Sequence, residues 1–364
     1  MLRGGKSGLV NAELVGVVAN PASGRDVRRL VSGASVFDNA EKARMVARFV
    51  AGMAITGERR ILLMPATDGL PERIKRLVED LERDLATGPL PEVEVLDTPV
   101  RGAAQDTVNA VRRMVERGVG AILVVGGDGT HRAVAKACGD VPLCTLSTGT
   151  NNAFPAMWEP TVAGIATGLV VAGHAGPAGL RVEKALRISR EGEAKPDLAL
   201  VDVAFCASRF VGARAVWRAE QIREIVVAFA SPSALGISAI AARVAPVARY
   251  GAGGLYIRLG DPSDPHTTAQ TVNVPLAPGL ISSVAIESHR RFGEGDVIEL
   301  GPGAGTISLD GEREIELAAG ERVQVNLDAG PVTIDVDQVL AWPPNQSLVA
   351  TRSYAAIERE RYAR

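Results

Sequence analysis

Along the first half of the chain the hydrophobic positions switch repeatedly between two periods, a pattern that predicts strands separated by helices. Short runs rich in Val, Leu and Ile predict strands at Leu14–Ala19, Arg60–Met64, Val93–Asp97, Ala121–Val125 and Pro142–Leu146. Between them, apolar residues spaced for one helix face predict helices over Glu41–Met53, Pro71–Ala86, Ala104–Arg117 and Thr130–Cys138, followed by Thr161–Ala172. Such β-α alternation implies a parallel sheet covered by helices on both sides. Ligands of such sheets bind beyond the carboxyl ends of the strands. The loops at Asn20, Gly126 and Thr148 all follow predicted strands, so they should lie along one edge and form one site.

After about Gly176 the texture changes to short alternating runs. Lys184–Arg190 with Leu198–Ala207 reads as a hairpin, and Val211–Arg218 with Gln221–Ala230 as a second. Further strands are predicted at Gly254–Leu259, Gln270–Val274, Leu280–Glu287, Val297–Leu300, Gly305–Leu309, Glu314–Leu317, Val323–Leu327 and Val332–Val336, with Asp310-Gly311 a strong hairpin-turn signal. The expected fold is therefore an α/β N-terminal domain with a parallel sheet (1–175), then a β-rich, mainly antiparallel C-terminal domain (176–345). The polar tail, 346–364, is helix-compatible and can dock back on the first domain.

Composition narrows the function classes. At 364 residues and 46% hydrophobic content the chain can fill two cores. The net charge of −2 and a pI near 6.2, with no basic cluster, favour neither nucleic acid nor an anionic membrane surface. Cys138, Cys144 and Cys206 are odd in number and lack paired spacing, so they read as buried thiols rather than disulfides or a zinc site. The longest uncharged stretches, Pro160–Leu180 and Ile225–Ala242, contain Pro, Gly and Ser and make poor bilayer spans. The N-terminal apolar stretch is broken by Asn11 and Glu13, which argues against a signal peptide. The expectation is a cytoplasmic protein without membrane insertion.

The chemistry concentrates at residues 121–130, Ala-Ile-Leu-Val-Val-Gly-Gly-Asp-Gly-Thr, where a strand runs into three glycines around one carboxylate. Gly126, Gly127 and Gly129 let backbone N–H groups turn toward phosphate, Thr130 adds a hydroxyl, and the following helix adds its positive end. A carboxylate there would repel phosphate, so Asp128 makes sense if it meets a phosphate-bound Mg²⁺ or takes a proton from an attacking hydroxyl. The competing reading is a tight strand-to-helix turn in which Asp128 bonds backbone N–H groups and Thr130 caps the helix. Two further loops fit a nucleotide. Asn20-Pro21-Ala22-Ser23-Gly24 offers amide and hydroxyl groups from Asn20 and Ser23 on a turn fixed by Pro21 and Gly24. Ser147-Thr148-Gly149-Thr150-Asn151-Asn152 supplies hydroxyls and amides without a nearby charge, which suits ribose and adenine.

The glycine loop resembles the signature of the superfamily that contains the NAD kinases and the diacylglycerol and sphingosine lipid kinases. Asn20-Pro21 resembles the opening of both kinase branches, and Gly149-Thr150-Asn151-Asn152 is closer to the lipid-kinase Gly-Thr-x-Asn-Asp. Together, Asn20–Arg29, Ala34–Ala43 and Leu146–Pro155 resemble the acetoin catabolism protein X branch, an NAD-kinase-like family. This resemblance covers essentially the whole chain. It implies an ATP-dependent kinase with Mg²⁺ accompanying the nucleotide, Asp128 activating the acceptor hydroxyl, NAD⁺ as favoured acceptor, and homo-oligomers. Ser231 and Ser233 match hydroxyls with which NAD kinases hold the dinucleotide, although Ala234 stands where Gly is usual. Asp202 matches the acid of the nucleoside-binding Asn-Glu or Asn-Asp pair, while Val201 lacks the amide. Asp310-Gly311-Glu312 is similar to the Asp-Gly-Glu of lipid kinases. Two alternatives stay open: a kinase of a lipid or small alcohol, and a nucleotide sensor that kept the pocket and lost chemistry.

Overall fold

A computed structural model describes residues 13–21, 37–57, 59–85, 90–149, 151–193, 195–208, 215–216, 218–260, 270–301 and 303–345. Five parallel strands, β1 (Leu14–Ala19), β2 (Arg60–Leu63), β3 (Glu92–Val95), β4 (Ala121–Gly126) and β5 (Leu143–Ser147), lie in the order β3-β2-β1-β4-β5. β1, β4 and β5 are buried at every residue, because helices cover both faces. Helices α1 (Asn39–Ala54), α2 (Leu70–Leu85) and α5 (Pro160–Val171) contribute to the core on one side; α3 (Ala104–Glu116) and α4 (Asp128–Ala135) contribute to the other. The entries of α1 and α5 are fixed by carboxylates that accept from first-turn N–H groups: Asp38 from Glu41, Glu159 from Thr161 and Val162. α1 and α5 touch backbone to backbone: a Cβ on Gly164 would lie 2.1 Å from the Phe49 carbonyl oxygen, so any side chain there parts the helices.

The sheet does not stop at β5. β6 (Leu180–Arg190), β7 (Asp197–Ala199), β13 (Val297–Leu300) and β16 (Val323–Ile334) extend it to nine strands, with β16 parallel to β5 at Thr333–Leu143 and antiparallel to β6. The second sheet has seven strands in the order β11-β12-β10-β9-β8-β14-β15. These are β8 (Asp202–Cys206), β9 (Ile222–Val227), β10 (Gly254–Leu259), β11 (Gln270–Ala277), β12 (Leu280–Phe292), β14 (Gly305–Leu309) and β15 (Glu312–Leu317). All its pairings are antiparallel. Leu186, Ile188, Val325 and Leu327 of the first sheet meet Val203, Phe205, Val226, Ile307 and Leu309 of the second in a shared core.

Three expectations change in detail. Leu198–Ala207 is two strands: β7 ends at Ala199, the chain turns, and β8 enters the other sheet. Val323–Leu327 and the start of Val332–Val336 form one strand that ends at Ile334, with an irregularity between Ala329 and Val332, where Gly330-Pro331 interrupts the alternation without ending the pairing; Asp335 caps the next helix and Val336 begins it. Helix α6 (Ile237–Val244) was not expected, because its Ile-Ser-Ala-Ile-Ala-Ala stretch is nearly uniform in polarity; tertiary packing against the second sheet decides it. The last helix, α7 (Val336–Ala341), returns to the first core through Val336 and Val339. Residues 211–214 and 217 of the second expected hairpin and the tail 346–364 lie outside the described residues.

Candidate functional site

Strand order reverses between β1 and β4, and at such a switch point the loops after neighbouring strands splay apart into a crevice. The loops after β1, β4 and β5 open there together. Their backbones are tied, Asn20 N–H to Val125 O at 3.5 Å and Thr148 N–H to Gly126 O at 3.3 Å, and Asn20 Nδ2 donates to Thr130 Oγ1 at 3.1 Å. The glycines are required by space: a Cβ on Gly126 would lie 2.6 Å from Thr130 Cβ, and one on Gly127 2.8 Å from Asn152 Oδ1.

Asp128 is the first residue of α4, at the positive end of the helix. Its carboxylate accepts from Ala153 N–H at 3.0 and 3.1 Å and from Phe154 N–H at 2.8 Å, while the residue stays half-buried. The carboxylate is thus held in one orientation by the loop after β5 without being sealed from solvent. That loop is braced from within: Asn152 Nδ2 donates to Ser147 Oγ (2.8 Å) and Gly149 O (3.3 Å), and Ser147 Oγ to Gly149 O (2.6 Å). Asn152 therefore shapes the loop, and Thr148 is fully buried, its hydroxyl without a hydrogen-bond partner among the described residues. Asn151 is half-buried, and Ser23, Gly24 and Thr150 lie outside the described residues.

Several residues here carried no motif. Lys42 of α1 is 1% exposed, and its Nζ donates to Asn20 O (3.0 Å), Pro21 O (3.2 Å) and Asn39 Oδ1 (3.1 Å), pinning the turn after β1 from below. A lysine in the apolar stripe of Met45, Val46 and Phe49 was the available signal. His131 is fully buried; burial pushes its pKa down to about 4, so it is neutral near pH 7. Its Nδ1–H donates to Gly127 O at 2.9 Å, which leaves Nε2 as an acceptor with no partner among the described residues. Its ring packs against Phe154, centroids 5.8 Å apart.

The second wall comes from the β-rich half. Arg249 places its Nε and Nη2 on the two oxygens of Glu183 (both 2.9 Å) and its Nη1 on Phe154 O (2.8 Å), over the rings of Phe154 and Phe229. Glu183 is buried in β6 and also accepts from Thr333 Oγ1 at 2.8 Å. The β14–β15 turn is Asp310-Gly311, both at positive φ (51° and 78°), as a two-residue hairpin requires. The Asp310 carboxylate is buried and accepts from Leu200 N–H (2.9 Å) and Val201 N–H (2.8 Å), with Arg132 Nε of α4 at 3.8 Å. Burial outweighs Arg132 and these amides and pushes its pKa up to about 7. The same turn carries Glu312 to the glycine loop: a Cβ on Gly129 would lie 3.5 Å from Glu312 Oε2.

The acceptor residues implied by resemblance are less convergent. Asp202 is buried, and its backbone carbonyl and amide meet Asp310 at 2.9 and 3.4 Å. Ser231 and Ser233 sit on an exposed turn two residues beyond Phe229, their hydroxyls 3.0 Å apart. Among the described residues there is no cluster of three His, Cys, Asp or Glu fit to hold a metal, and no helix long and apolar enough to cross a membrane.

A parallel sheet with a glycine loop and a braced carboxylate at its switch point, joined to an antiparallel sheet, defines the class: residues 15–175 match the ATP-NAD kinase N-terminal domain. Residues 184–330 match the acetoin catabolism protein X C-terminal domain. Acetoin catabolism protein X of Cupriavidus necator is 41% identical over 320 residues, covering 87% of this chain and 88% of that protein, and the chain belongs to this family. Among solved structures, yeast NADH kinase complexed with NADH is similar at 13% identity and TM-score 0.44, over 94% of this chain and 89% of that one. A diacylglycerol kinase from Bacillus anthracis is similar at 13% identity and TM-score 0.40, over 89% and 96%.

Proposed function

We propose that the chain is an ATP-dependent kinase of a hydroxyl, with NAD⁺ as favoured acceptor, its ribose 2′-OH attacking the γ-phosphate, and Asp128 as general base. The observation that carries this reading is the Asp128 carboxylate, bonded to Ala153 and Phe154 N–H groups at the N-terminus of α4 yet still half-exposed. Those bonds fix its direction, which is what a base for a positioned hydroxyl needs. Backbone N–H groups of Gly127, Asp128 and Gly129 and the end of α4 would face the phosphates, and Asn20 and Asn151 would border the nucleotide; Thr130, whose N–H donates to Gly127 O and whose hydroxyl accepts from Asn20, and the buried Thr148-Gly149 turn shape the loops instead. Mg²⁺ enters this reading as a companion of ATP, where it would neutralise phosphate charge. The half-exposed loops and the near-neutral charge favour a soluble polar acceptor and a cytoplasmic protein. Homo-oligomerisation belongs to the same reading.

One observation favours a second acceptor class. Glu312, of the Asp-Gly-Glu sequence similar to lipid kinases, reaches the glycine loop at Gly129, so a second carboxylate stands near Asp128. Phosphoryl transfer from Mg-ATP to NAD⁺, NADH, diacylglycerol, sphingoid bases and small diols, followed for wild type and Glu312→Gln, tests both. Transfer to NAD⁺ that survives Glu312→Gln supports the NAD reading. Transfer confined to a lipid or diol and lost in Glu312→Gln replaces it, and nucleotide binding without any transfer leaves a sensor.

A further inference from the structure

Asp128 is oriented by Phe154, and Phe154 is in turn held from the other half of the molecule. Its N–H donates to Asp128 at 2.8 Å, its carbonyl accepts from Arg249 Nη1 at 2.8 Å, and its ring lies under the Arg249 guanidinium, 4.8 Å from the ring centroid. The next residue is Pro155, whose ring restricts the backbone of Phe154 and leaves no N–H to compete. Arg249 lies in the segment between α6 and β10, and its remaining hydrogen bonds lock it to Glu183 of β6 in a side-on bidentate pair. Glu183 is 2% exposed, and Thr333 Oγ1 and Tyr250 Oη also donate to it.

We propose that Arg249 is a positioning residue through which the β-rich half sets the orientation of the Asp128 carboxylate, with Glu183 as its anchor. The role rests on the reading of Asp128 as general base. A packing role alone would be served better by an apolar pair, because the buried Glu183 sacrifices hydration that Arg249, its side chain 25% exposed, only partly returns. What an apolar replacement cannot do is grip a carbonyl and a carboxylate in fixed directions; the planar fork of arginine does both. The ring of His131, two residues past Gly129, touches Phe154 while its Nδ1–H holds Gly127 O. The glycine loop, the base and Phe154 are therefore one braced unit whose position relative to an acceptor depends on Arg249. An acceptor bound against the β-rich half would then meet a carboxylate referenced to the same half.

The test is hydrogen exchange by mass spectrometry over peptides spanning 151–157, on the full chain, for wild type, Arg249→Lys and Glu183→Gln. Arg249→Lys keeps the charge and loses the two-sided fork; Glu183→Gln keeps the shape and frees the guanidinium. The expected result is exchange of 151–157 about tenfold faster in both, with β1 and β2 unchanged. In transfer from Mg-ATP to NAD⁺, kcat should fall about 10²-fold in Arg249→Lys while the ATP KM moves less than threefold. Exchange within twofold of wild type in both variants overturns the proposal, as does faster exchange with kcat unchanged. Should Arg249→Lys fail to fold, Glu183→Gln decides by the same two readouts. Failure of the underlying reading looks different: Asp128→Asn would then keep wild-type turnover whatever Arg249 does.

Discussion

The two walls of the candidate site are built on opposite principles. On the α/β side, Asn20, the glycine loop and the Thr148–Asn152 turn each lie directly after a parallel strand, so the winding of the sheet delivers them to one crevice. On the β-rich side, Arg249 meets Glu183 from 66 residues away, and Asp310 meets the N–H groups of Leu200 and Val201 from 110 and 109 residues away, through pairings between remote strands. The first wall presents backbone N–H groups in loops whose shape is local. The second presents side chains buried in ion pairs, whose value depends on long-range register. A change in the first wall should therefore act on binding and turnover, and one in the second on the stability and orientation of the whole site.

The largest expected effect is at the junction of the walls. Asp128→Asn should lower turnover about 10²–10⁴-fold, by loss of the base. The stability cost should stay within about 1–3 kcal/mol, because an amide oxygen still accepts one of the two N–H bonds. Turnover with Mg-ATP and NAD⁺ and a urea midpoint measure the two together; unchanged turnover removes Asp128 as base, and a variant that unfolds makes the loop a structural turn. Next in size is Gly127→Val, whose Cβ enters the space of Asn152 Oδ1 and disturbs the N–H groups beside it. Calorimetry should show ATP binding weakened about tenfold or more, on the scale of one charge-assisted hydrogen bond. Equal affinity would mean that nucleotide does not use this loop.

The β-rich wall should show itself through pH. The Asp310 carboxyl is raised from 3.8 to about 7 by burial, so between those values the folded state binds more protons than the unfolded state. This group's contribution is greatest below the unfolded pKa and is lost as pH rises toward 7. Wild type should accordingly lose stability from pH 5 to pH 8 relative to Asp310→Asn, which cannot titrate; parallel denaturation midpoints across that range would contradict the burial argument. Smallest of all is the joint Ser231→Ala and Ser233→Ala change. Their hydroxyls are exposed and bond each other, so stability should move by no more than about 0.5 kcal/mol. If the turn borders the acceptor, the acceptor KM rises more than the ATP KM; equal KM values would take these serines out of the site.

Much of this protein was legible in the chain alone. β1, β10, β13 and β14 occupy their expected residues, and the five helices of the first half are displaced only at their ends, because periodicity and turn chemistry are local properties. The Gly126–Thr130 loop and the Asp310-Gly311 turn were equally plain, since glycine and aspartate at such places answer to backbone geometry within a few residues. What only the tertiary structure decided is which half each late strand joins and which charges meet. β6, β7, β13 and β16 read as the second domain's strands yet extend the first sheet, since alternation specifies a strand's faces but not its partner. Glu183 and Arg249 carried no motif for a related reason, and of the braces only Lys42, set in the apolar stripe of its helix, left a local signal. A charge becomes a brace only when packing removes its water and brings a partner from far along the chain, and no local pattern encodes that meeting.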